Sequence, residues 1–347
     1  MIRVRNIYHM LAYAFTNLKA QEYASLQTEE FEHAADLYAQ ILINGIRVQL
    51  KRGIVRSYEE HTEELTCVRG RILFAETAHT RALQRGRIIC EHDDFTEDND
   101  FNRILISVSA ALLKTDITPA RKKSLQHLLK YFPHVRRLPL QQLNWKVRFT
   151  RQSKNYRMLI GICKLVAEGL MQSSSAGDTQ LMDFQDARHL NTLYEKFLLA
   201  YFQQTYKGLD IAARKIRWSL DEGDPAFLPG LRSDILIRNR ERTLIIDAKY
   251  YSRILQAYYG SSHHHPHNLN QILNYVHQES AAHPAEHEVC GMLLYAGTDE
   301  NVPDKEFVTC GKRIHIKVLD LNADFADIRA TLGSIITRYF PHPQALR

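Results

Sequence analysis

The sequence predicts an α+β chain in two domains. Residues 1–165 form a mixed helical and β domain, and residues 180–347 form an α/β domain with a mixed central sheet flanked by helices. Three observations predict this. The stretch from Arg232 to Lys249 reads as two short apolar runs joined by a charged turn, which is the pattern of a β-hairpin. Apolar residues three and four apart predict helices over 187–206, 268–279 and 323–340, and apolar runs at 211–218, 288–296 and 314–320 predict further strands. Gln172-Ser-Ser-Ser-Ala-Gly-Asp178 is small and polar, a linker composition that puts the domain boundary between 150 and 180.

The first half follows the same logic. Helical spacing covers 4–18 and 28–50, and strand-like runs cover 54–59 and 64–76. An acidic segment, Glu91 to Asp100, leads into the apolar helix 101–114. Acidic residues there suit the positive N-terminal end of a helix and can cap its free amides. A metal-binding loop is disfavoured because the spacing of a calcium loop is missing. Further helices are predicted at 118–131 and 155–170.

At 347 residues the chain can bury two cores, and 45% hydrophobic with 24% charged residues is an ordinary globular balance. No apolar run approaches the roughly 18–20 residues of a membrane span, and no secretory pattern opens the chain. The five cysteines (Cys67, Cys90, Cys163, Cys290, Cys310) are scattered and form no Cys-x-x-Cys pair. They suit reduced thiols, so a cytoplasmic protein without a membrane partner is expected. The net charge of +6 hides an asymmetry. Residues 117–160 hold eleven Lys and Arg and no acid, with Trp145, Phe149 and Tyr156 interleaved. That block suggests a polyanion or an acidic protein surface as partner, with the aromatics free for base stacking, against the plainer reading of a solvated face.

The chemistry gathers at the hairpin. Asp247 and Lys249 are two apart on one strand and so emerge on one face. With the turn at Asn239 to Arg242, Asp234 on the first strand comes close to them. Two carboxylates and an ammonium at a buried hairpin are costly unless a cation and a charged substrate use them. The competing reading is a surface hairpin with an ordinary salt bridge. On the next helix, Gln271 and Tyr275 are four apart and share a face that can turn back to the hairpin. Glu195 on the preceding helix is a possible further ligand, although an exposed helix glutamate is the commoner outcome. His263-His-His-Pro-His267 reads as a solvated loop rather than a zinc site, because consecutive histidines cannot all face one ion. No phosphate-binding Gly-x-x-x-x-Gly-Lys-Ser/Thr occurs, so nucleotide hydrolysis is not expected of this chain.

The order helix, strand, strand with Asp, strand with Asp-x-Lys, helix, strand resembles the PD-(D/E)xK nuclease fold. Gln271-x-x-x-Tyr275 after Asp-x-Lys resembles its RecB-like branch. Ser233 stands where that pattern often has proline. The resemblance implies that Asp234, Asp247 and the backbone carbonyl of Ala248 hold Mg2+, a hard ion that prefers oxygen, while Lys249 orients the attacking water. Val4–Ala14, Val68–Phe74, Asp94–Leu105, Leu193–Leu198 and Asp234–Tyr250 together resemble the McrC family, the nuclease subunit of a modification-dependent restriction system. That resemblance implies an N-terminal domain docking on a GTP-hydrolysing AAA+ ring of McrB type and stimulating it. It also implies a C-terminal nuclease acting on double-stranded DNA with methylated cytosine, with site choice and GTP left to the partner. Two other readings are a non-catalytic adaptor of such a ring and a stand-alone RecB-like repair nuclease. The intact Asp234, Asp247, Lys249 set speaks against the first, and the long N-terminal half against the second.

Overall fold

The computed structural model describes residues 2–15, 18, 23, 26, 29, 31, 33–151, 153–174, 187–220, 222–224, 227–250, 255–258, 261–264, 266–297 and 304–341. Residues 1–37 and 182–347 pack as one compact unit, and residues 38–181 as a second. The first 37 residues therefore pack with the C-terminal half, not with the N-terminal domain 1–165 to which the sequence assigns them. The physical reason lies in helix α1 (Val4–Ala14). Its Asn6 Nδ2 donates to the carbonyls of Leu321 (2.7 Å) and Ala323 (2.9 Å). Its Tyr13 ring meets Phe197 and Tyr201, and its His9 ring stacks on Phe325 at 4.3 Å. The helix stops at Ala14, short of the predicted 18.

The second unit contains most of helix α2 (Ala34–Arg52), then strand β1 (Ser57–Leu65), strand β2 (Arg71–Ile72), helix α3 (Phe74–His79) and strand β3 (Ile88–Thr96). Helices α4 (Asp100–Leu112), α5 (Pro119–Leu129) and α6 (Arg157–Ser174) complete it. The three strands form a sheet of order β1-β3-β2. Most of the acidic segment, Glu91 to Thr96, thus lies in strand β3 rather than at the N-terminus of the helix. Asn99 caps α4, accepting from Asn102 N at 3.2 Å. The acids of this region meet arginines: Asp98 with Arg103 and Arg136, Glu97 with Arg56, Asp94 with Arg69. The predicted strand 64–76 gives way to a turn at Gly70, two residues of β2 and the start of α3. Gly70 has φ +70°, and a Cβ there would lie 2.3 Å from the carbonyl oxygen of Glu91. Neither the left-handed backbone nor that contact admits a side chain. Gly70→Ala should therefore lower stability by about 2–3 kcal/mol, read as a shifted denaturant midpoint.

Two of the aromatics in the basic block are committed to packing. Tyr156 is fully buried and its hydroxyl donates to Asn102 Oδ1 at 3.0 Å. Phe149 packs on Phe101, with the Arg157 guanidinium 5.2 Å from its ring centre. Burial withdraws the Tyr156 ring from base stacking, while Phe149 is half-buried. Lys122, Lys123, Lys146 and Arg148 remain exposed, while Arg136 is held by Asp98.

After helix α7 (Ala187–Thr205) the first unit builds its sheet from β4 (Asp210–Ala212), β7 (Ile235–Arg238), β8 (Arg242–Tyr250), β11 (Glu288–Gly297), β12 (Lys305–Thr309) and β13 (Lys312–Asp320). Small pairs β5 (Lys215–Ile216) with β6 (Leu231–Arg232), and β9 (Leu255–Tyr258) with β10 (Ser261–His264), flank it, and helices α8 (Pro266–Ala281) and α9 (Phe325–Tyr339) complete the unit. The six-stranded order is β12-β13-β11-β8-β7-β4. β8, β11 and β13 run parallel, while β4, β7 and β12 pair antiparallel. This is the mixed α+β architecture the sequence predicts. The crossover from β8 to the parallel β11 needs a helix to cover the sheet, and α8 supplies it. Its Ile272, Tyr275 and Val276 pack on Leu236, Ile245, Leu293 and Ile316. Each such buried aliphatic stabilises the fold by about 1.5–3 kcal/mol. Among the described residues no helix is long and apolar enough to cross a membrane.

Candidate active site

Strands β7 and β8 pair from Arg238↔Thr243 to Ile235↔Ile246. Their turn is closed by Asn239, whose backbone N–H donates to Arg242 O at 3.0 Å and whose Oδ1 accepts from Glu241 N and Arg242 N. An asparagine that bonds its own following amides is a turn former, which fixes the register. One step past the ladder, the same register sets Asp234 opposite Asp247. Opposed residues of an antiparallel pair share a face, and Lys249 is two further on that face. Ser233, buried just before Asp234, replaces a proline's stiffness with hydrogen bonds: its N–H donates to Arg214 O at 2.9 Å and its Oγ accepts from Arg214 N at 3.3 Å.

The structure brings the predicted residues together. Asp247 is 1% exposed. Its Oδ2 lies 3.0 Å from Lys249 Nζ, at an angle that makes an ion pair without a formal hydrogen bond. Asp234 Oδ2 accepts from Ala248 N at 2.9 Å. The two carboxyls approach within hydrogen-bonding reach of each other. Burial raises both above the ordinary aspartate range; the nearby Lys249 partly offsets this, and the charge of Asp234 pushes Asp247 higher still. Lys249 Nζ also donates to Gln271 Oε1 at 3.4 Å, and Gln271 Nε2 donates to the Tyr275 hydroxyl at 2.8 Å. Gln271 therefore touches the lysine, whereas Tyr275, a core residue, acts on it only through Gln271.

Glu195 differs from its expectation as an exposed helix glutamate. It is half-buried on α7, with its carboxyl pushed up to about 7, first by burial and then by the charge of Asp234. Two residues escaped the sequence reading. Asn191 Nδ2 donates to Glu195 Oε1 while its Oδ1 accepts from Tyr250 N at 2.8 Å. Asn268, 1% exposed, donates through Nδ2 to the hydroxyl of Tyr295, which pairs opposite Lys249 on β11. The signal for Asn191 was its four-residue spacing from Glu195, a helical neighbour distance. In the histidine run, His263 and His264 belong to β10 and not to a loop; the side chains of 263–266 and all of His265 lie outside what is described.

Two desolvated, mutually repelling carboxylates with one oxygen lacking a proper donor form a donor set that suits a hard divalent cation. Among the described residues no three His, Cys, Asp or Glu converge as a metal cage.

The structure thus sets an Asp and an Asp-x-Lys on adjoining strands of a mixed sheet, with a Gln on the crossover helix. Residues 3–296 match the family model of the McrBC 5-methylcytosine restriction system component, and the chain belongs to that family. It is 27% identical over 346 residues to the Type IV methyl-directed restriction enzyme EcoKMcrBC of Escherichia coli (strain K12), with 98% of both sequences covered. Two solved assemblies of Thermococcus gammatolerans also match. One, a half-complex of McrB AAA+ hexamers with bound McrC, gives a TM-score of 0.48 at 18% identity, covering 96% of this chain and 76% of that one. The other, the McrBC complex, gives 0.42 at 19%, covering 58% of each.

Proposed function

We propose that this chain is the Mg2+-dependent DNA endonuclease subunit of a GTP-driven, modification-dependent restriction complex. In this reading it works in the cytoplasm on double-stranded DNA carrying methylated cytosine, and it stimulates the GTPase of an AAA+ ring of McrB type. Membership of the restriction family supports the system, and the named T. gammatolerans assembly supports the kind of partner. The observation that carries the catalytic part is the buried Asp234–Asp247 pair with Lys249 held beside it. A fold kept only as an adaptor would relax so costly a cluster.

Asp234, Asp247 and the Ala248 carbonyl would hold the cation. Bound there, Mg2+ would lower the pKa of a coordinated water and stabilise charge on a phosphate. The chain's own groups do the rest. Asp247 and Gln271 hold the Lys249 ammonium in place, so it needs no reorganisation to meet a developing negative charge. Glu195, with its carboxyl near neutrality, is suited to accept a proton beside the aspartates.

Asp247→Ala tests the reading. In the assembled complex it should abolish DNA cleavage and leave GTPase stimulation at the wild-type level. Persistent cleavage sinks the catalytic assignment, and loss of both activities would favour an adaptor whose fold depends on this cluster.

A further inference from the structure

We infer that Asn191 is a positioning residue for this site, acting through Glu195; the inference rests on the proposed metal-dependent reading. Both ends of the Asn191 amide are used. Nδ2 donates to Glu195 Oε1 one helical turn on, and Oδ1 accepts from the backbone N–H of Tyr250 at 2.8 Å. Tyr250 directly follows Lys249, so a single side chain ties the catalytic strand end to helix α7, two elements that pack together. An asparagine is suited to this because it offers donor and acceptor at once on a short stem. Aspartate lacks the donor, and serine lacks the reach to bridge both partners.

Glu195 is thereby fixed. Only Oε1 takes a bond; Oε2 has no hydrogen-bond partner among the described residues. A glutamate on a helix face otherwise samples several rotamers, and holding it costs entropy that the Asn191 bond offsets. The carboxylate stands near enough to Asp234, Asp247 and Lys249 to feel their charges, yet forms no three-acid cage with the aspartates. In the proposed reading Glu195 would act from outside the direct ligands, on a water that the cation would carry. Partners at that remove commonly change metal affinity by about 10–100-fold when removed.

The test is Mn2+ binding to the full chain, followed by electron paramagnetic resonance in wild type, Asn191→Ala, Glu195→Gln, the double variant and Asp247→Ala. The expected result is a loss of binding in Asp247→Ala and a weakening of about tenfold or more in each of the other single variants. The double variant should be no weaker than the weaker single one, because both remove the same held carboxylate. Additive losses would mean that Asn191 supports the fold and does not act through Glu195, which overturns the inference. Unchanged binding in Asn191→Ala and Glu195→Gln, with binding lost in Asp247→Ala, overturns it while leaving the metal site standing. Binding unaffected by Asp247→Ala overturns the metal reading itself, and the positioning role with it. Should Asn191→Ala not fold, Glu195→Gln decides alone, since it keeps the acceptor that Asn191 uses: undiminished Mn2+ affinity there is fatal to the idea.

Discussion

Asp247→Asn should make the metal-free protein more stable at pH 8 while cutting DNA cleavage by about a thousandfold or more, ~4 kcal/mol of barrier. Burial raises the Asp247 carboxyl above its ordinary range; the Lys249 ammonium offsets part of this, and the charge of Asp234 adds to it. The folded chain then binds this proton more tightly than the unfolded chain does. Folding loses free energy as pH climbs from the ordinary carboxylate range toward neutrality, and the cost is fully present above the raised pKa. An amide of the same shape carries no such cost. At pH 8 without metal the variant should melt a few degrees higher, at ~2–4 °C per kcal/mol for a unit of this size. At pH 4 the gain should vanish. Saturating Mg2+ should reverse the order, because only wild type gains binding free energy, about 2.7 kcal/mol at a hundred times Kd. Scanning calorimetry at the two pH values, with chelator and with Mg2+, reads all of this. A lower melting point for the variant at pH 8 would mean that the Lys249 ion pair outweighs the desolvation.

Gly291→Ala is expected to damage the site from beneath. Gly291 lies in β11, and a Cβ there would sit 2.8 Å from carbon atoms of Ile272, Val276 and Ile314. All three are buried, so none can swing into solvent. Overpacking of this kind costs about 1–3 kcal/mol. The relief available is a shift of α8, which carries Ile272 and Val276 and also Gln271. Since Gln271 holds Lys249, cleavage should fall about tenfold even at temperatures where the variant is fully folded, a loss of ~1.4 kcal/mol in transition-state binding. Unaltered cleavage beside a lowered melting point would separate Gln271 from the work of Lys249.

The hairpin was legible because a strand's period of two fixes which side chains share a face, and because Asn239 announces the turn. Helix α8 was legible for the same kind of reason, with Gln271 and Tyr275 one turn apart. Strand β3 was harder. Glu91, Asp93 and Asp94 are poor strand formers, and their pairing with Thr62, Glu60 and Glu59 of β1 depends on arginines distant in sequence, such as Arg69 and Arg103. Strand β12 and the β9–β10 pair are short edge pieces whose apolar pattern is too brief to mark them. Asn191 offered only its helical spacing from Glu195: a helix asparagine reads as solvated until the strand that receives it is known.

That α1 packs on α7 has a consequence for the order of events during synthesis. Asn6 bonds to Leu321, 315 positions away, so the first helix emerges from the ribosome long before its partners exist. Residues 38–181 can collapse locally in the meantime, whereas α1 must wait with its apolar face uncovered. Closing so long a loop is slow, and it leaves that face open to chaperones and to misassociation. A fragment that begins near residue 180 would not be a free-standing domain but one with the seat of α1, around Phe197, Tyr201 and Phe325, laid bare to solvent.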